Sequence, residues 1–201
     1  MRYIRRLQRD LGRGAALVTE REFTVRFEPL AAGFVVGGQQ VSARVDAPAR
    51  LAQFARLEEQ RVETGLFPLE LDAGGRIVGG EGASECDQFE IAYKAALSDI
   101  SGQDLPETER DQLTAFIGAM HAAGGTLVTE LPRDLFAPLA LNRSERRAIE
   151  VLGGQAGQVS VDFIAEIDRE TGLMRHAMRE VSTALGQDAR VTVESWSLLP
   201  A

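Results

Sequence analysis

Residues 17–28 alternate with a strict period of two. Leu17, Thr19, Arg21, Phe23, Val25 and Phe27 fall on one side, and Val18, Glu20, Glu22, Thr24, Arg26 and Glu28 on the other. A helix would scatter this pattern around its axis. A strand with one buried face sorts it at once. Such a strand needs partners, and the flanking sequence offers them. Residues 3–11 read as a strand, and Gly12, Arg13 and Gly14 read as the turn between the two. After a break at Pro29–Gly33, residues 34–45 resume strand character with Val41, Ala43 and Val45 on one side. The first 45 residues therefore predict a three-stranded meander.

A helix is predicted next. Pro48 suits a first helical position, Leu51, Phe54, Ala55 and Val62 recur at helical spacing, and Gly65 is a natural stop. Glu59 and Glu63 share the side turned away from that stripe, where solvent is expected. Residues 67–71 and 76–78 flank Asp72, Ala73, Gly74 and Gly75, which carry turn chemistry. Two further helices follow from apolar stripes. One holds Phe89, Tyr93, Ala96, Leu97 and Ile100, and the other Leu113, Phe116, Ile117 and Met120. Residues 126–130 read as a short strand. Residues 131–141 contain Pro132 and Pro138 and read as an ordered loop. A second meander then runs through residues 146–152, 159–167, 173–185 and 190–199.

Adjacent strands joined by short turns are antiparallel, and such a sheet commonly buries one face. The expected fold class is α+β. It is a strongly curved antiparallel sheet of two meanders and roughly ten strands, with about three helices packed on one face. Nothing in the composition marks a boundary, so residues 1–201 are expected to form one domain.

Charge narrows the partners. The net charge of −8 argues against broad nucleic-acid binding, which takes a basic surface. The distribution is uneven. Residues 1–26 carry seven arginines against three acids, and residues 58–112 carry fourteen acids against four basic residues. A solvated surface is the simpler account, and a basic edge and acidic face for separate partners the sharper one. The N-terminus begins with basic residues but lacks the apolar core of a signal peptide. That predicts a cytoplasmic protein, or a periplasmic one if a leader has been removed. No stretch approaches the ~18 apolar residues of a membrane helix.

Catalytic and metal chemistry find little support. Cys86, His121 and His176 are the only cysteine and histidines, and none sits in a metal-ligand spacing. Cys86 falls in the first turn of a predicted helix, where a thiolate gains stabilisation, but no base adjoins it in sequence. The glycines at 79, 80 and 82 lack a P-loop lysine. No cofactor is expected. Arg143, Arg146 and Arg147 would serve either to grip an anion or to protect a strand edge.

The apolar set is more suggestive. Phe23, Val25, Phe27, Phe89, Phe116, Ile117, Met120, Phe163 and Ile167 would stand between sheet and helices. If packing is complete they are core. If the helices stand off, they line a cavity for an apolar small molecule or peptide. Meanders at both ends with helices between them resemble the half-barrel of the LolA/LolB lipoprotein-carrier superfamily. The likeness lies in element order over residues 13–45, 67–78 and 158–199. It implies a curved sheet and helices around an acyl-chain-sized cavity. The leading expectation is a non-enzymatic protein that binds an apolar ligand. The alternative is a structural or protein-interaction module with a filled core, homodimeric through a strand edge or the acidic face. A hydrolase built on Cys86 or a carboxylate pair comes third.

Overall fold

The computed structural model describes residues 1–12, 14–80, 131–151, 155–185 and 188–200. Nine strands are present among them. They are β1 (Arg2–Gly12), β2 (Ala15–Leu30), β3 (Gly33–Asp46), β4 (Leu69–Asp72), β5 (Ile77–Gly80), β6 (Asn142–Val151), β7 (Gln155–Ile167), β8 (Met174–Leu185) and β9 (Asp188–Leu199). All belong to one antiparallel sheet in the order β5-β4-β3-β2-β1-β9-β8-β7-β6. The two meanders are thus one sheet, joined where β1 pairs with β9.

The α+β expectation with three helices is overturned. Among the described residues the fold is a long antiparallel sheet with a single short helix, α1 (Ala52–Gln60), entered through a 3-10 turn at Ala49–Leu51. The two other expected helices and the strand at 126–130 lie outside the described residues. The helix that is present stops well short of Gly65. Its last carbonyls are taken by a side chain: Arg21 on β2 donates to the oxygens of Glu58 and Arg61 at 3.1 and 2.7 Å. A helix end satisfied in this way needs no glycine cap.

Cross-strand register fixes which side chains share the buried face. Tyr3 faces Phe23 on β2 and Leu198 on β9. Two residues along, Arg5 faces Arg21 and Trp196, and then Leu7 faces Thr19 and Glu194. On the far side Ala177 faces Trp196, and Arg179 faces Glu194 and Phe163. β8 has the composition of a helix, yet it lies between two long partners that supply its ladder. Context outweighs propensity there.

At one end of this face sits a dense aromatic cluster. The Tyr3 ring lies 6.0, 5.7 and 6.0 Å from Phe23, Phe67 and Phe136, and Phe27 meets Phe136 edge-on at 5.6 Å. Leu66, Leu69, Leu71, Leu135, Phe163, Met174 and Leu198 complete it. Each well-placed aromatic pair adds about 0.5–1.5 kcal/mol beyond its buried area.

Segment 131–137 closes this end and reveals the shape of the sheet. Ile77 of β5 donates to the Arg133 oxygen, and Met174 of β8 donates to the Phe136 oxygen. Those two carbonyls are three residues apart, a span of at most ~11 Å. In the sheet order β5 and β8 are six places apart, which on a flat sheet is ~29 Å. The sheet must therefore roll toward its buried face, bringing β5 and β8 together around residues 131–137.

The open flank of β3 is also covered. β4 pairs only with residues 33–36 of β3. Beyond it, Glu59 of α1 accepts the Val45 N–H at 2.9 Å, and Gln40 accepts the Glu63 N–H at 2.9 Å. Side chains take the place of a strand, which blunts an edge that would otherwise template aggregation. Glu63 is buried, against the solvated role expected of it, whereas Glu59 is exposed as expected while its carboxylate accepts the Val45 N–H.

Candidate functional site

A belt of charge crosses the buried face just beyond the aromatic cluster. Its centre is Glu194 on β9, 1% exposed. Arg5 donates to its Oε1 at 2.7 Å and Arg179 to its Oε2 at 2.6 Å. Both carboxylate oxygens are engaged by guanidinium groups, as a buried carboxylate requires. Arg179 also lies over the Trp196 ring, its Cζ 5.4 Å from the centroid. Trp196 is fully buried, and its Nε1 has no hydrogen-bond acceptor among the described residues.

The belt continues on both flanks. On β2 the buried Arg21 reaches Glu58 Oε2 at 3.0 Å and Gln40 at 3.2 Å, and Arg61 bridges Glu58 and Glu63. Burial, together with the Arg61 charge, pushes the Arg21 guanidinium below its ordinary value, while Glu58 and Glu63 oppose the shift. It remains a cation at any pH the fold experiences. On β6, Arg143 donates to Asp134 at 2.8 Å and stacks 4.2 Å over Phe163. Burial pushes the Asp134 carboxyl up. The hydrogen bonds from Arg143 and from the Leu139 N–H more than offset this, and the carboxyl lies below its usual range.

Past the belt the same face turns apolar again. Leu17, Val45, Val159 and Val181 are buried there, with Ala55 of α1 packed on Leu17 and Val45, while Val161, Thr183 and Thr192 are half-buried and Arg9 faces inward between Leu17 and Thr192. The face therefore has three zones: a packed aromatic end, a charged belt, and a second apolar stretch.

The candidate residues fall unevenly across these zones. Phe23, Val25 and Phe163 are buried in the aromatic cluster, and Phe27 packs against it. Ile167 is half-buried at the end of β7. Phe89, Phe116, Ile117 and Met120 lie outside the described residues, as do Cys86 and His121. The described members thus build the packed end of the face. Of the three arginines on β6, Arg143 joins the belt, whereas Arg146 and Arg147 are exposed. Glu194 and Arg179 were missed because their side chains read as the ordinary polar members of alternating strands.

The opposite face of the sheet carries a second arrangement. His176 Nδ1 lies 3.1 Å from Ser197 Oγ, and Glu166 stands opposite His176 on β7. A serine, a histidine and an acid in one row invite a hydrolytic reading. The imidazole is exposed, however, and the strands around it have their amides committed to the ladder, leaving no donor pair for an oxyanion. A shallow groove of about 220 Å³ on this face is lined by Arg6, Val18, Glu20, Arg44 and Asp46. Glu20 lies between Arg6 and Arg44 in register, as on a solvated charge ladder. Among the described residues no cluster of histidine, cysteine and acids could hold a metal, and no helix is long and apolar enough to cross a membrane.

No family model matches the chain, and no curated protein matches it.

Proposed function

We propose that the protein is a non-enzymatic binding protein that holds an apolar or amphiphilic ligand on the rolled, buried face of its sheet. The observation that carries this reading is the second apolar stretch. The strands run well past the aromatic cluster, β2 alone having 16 residues. Beyond the belt, inward-facing Val161, Thr183 and Thr192 are half-buried beside the buried Leu17, Val159 and Val181. A rolled sheet with a sealed end and an apolar remainder suits a ligand that is long and narrow. The resemblance in element order to the half-barrel lipoprotein carriers points the same way.

The alternative of a homodimer through a strand edge is less well supported. β6, at the end of the described order, exposes Glu145, Arg146 and Arg147. Charges on an edge strand oppose edge-to-edge pairing.

Native mass spectrometry of gently purified protein tests the reading. A retained adduct of lipid-like mass is the expected result. A bare monomer that takes up no long-chain acid or alcohol would count against it, and a bare dimer would favour the interaction module.

A further inference from the structure

We draw no further inference here: the strongest candidate, the exposed apolar surface that Leu30 and Phe34 form at the tip of the β2–β3 hairpin, carries nothing because nothing in the structure shows what covers it.

Discussion

Glu194 and Arg179 stand opposite each other on β9 and β8 and meet at 2.6 Å in the interior of the protein. With Arg5 on the other oxygen, the carboxylate ties the C-terminal strand to both of its neighbours. Burying such a group is costly, and what makes it tolerable is that every partner is in place. Glu194→Gln keeps the shape and removes the charge that balances the two guanidiniums. A loss of about 3–5 kcal/mol is expected, read as a lowered urea midpoint with an unchanged slope.

Arg21 joins the sheet to the end of α1. It donates to two helix carbonyls, to Glu58 and to Gln40, while burial lowers its affinity for its proton without neutralising it. Arg21→Ala should cost about 2–3 kcal/mol by thermal or urea denaturation. Arg21→Lys should recover less than half of that. A lysine carries the charge but not the planar fork that reaches several acceptors together.

Asp134 gives a pH dependence of known sign. Arg143 and the Leu139 N–H outweigh burial and hold its carboxyl below the ordinary range. A depressed folded value contributes stability above the unfolded value, ~3.9, and that contribution is lost as pH falls through the lower folded value. Asp134→Asn should therefore be less stable than wild type at neutral pH by about 1 kcal/mol. The two stability curves should converge as pH drops below ~4. Urea midpoints between neutrality and acid would reveal it.

Gly38 lets Phe67 lie flat on β3. A Cβ at this position would overlap the Phe67 ring. Gly38→Ala should destabilise by about 1–3 kcal/mol through overpacking, and Phe67→Leu in the same chain should recover part of the loss. A double-mutant cycle in urea measures the coupling.

Much of the sheet was legible because alternation is a local signal. Residues 17–28 announce both the strand and its buried side, and Phe23 and Val25 stand where the pattern puts them. The roll of the sheet was not legible. Residues 131–141 read as an ordered loop from Pro132 and Pro138, but their closing role depends on Ile77 and Met174, whose positions only the finished topology brings near. The belt was hidden for a similar reason. Glu194 and Arg5 are 189 residues apart, and either alone looks like a polar residue on a strand. The length of α1 was overestimated because Gly65 offered an ordinary stop, whereas a side chain from β2 supplies the actual one. The class was misjudged as α+β because apolar stripes at helical spacing carried weight that the described part of the chain gives to the sheet.

The central claim is that the rolled face holds an apolar or amphiphilic ligand, and thermal melting with palmitate tests it most directly. A ligand that binds only the folded state at a hundredfold excess over its dissociation constant should raise the melting temperature by ~5–10 °C for a chain of this size. An unchanged melting temperature at saturating palmitate, with no palmitate retained in native mass spectrometry, would contradict the claim.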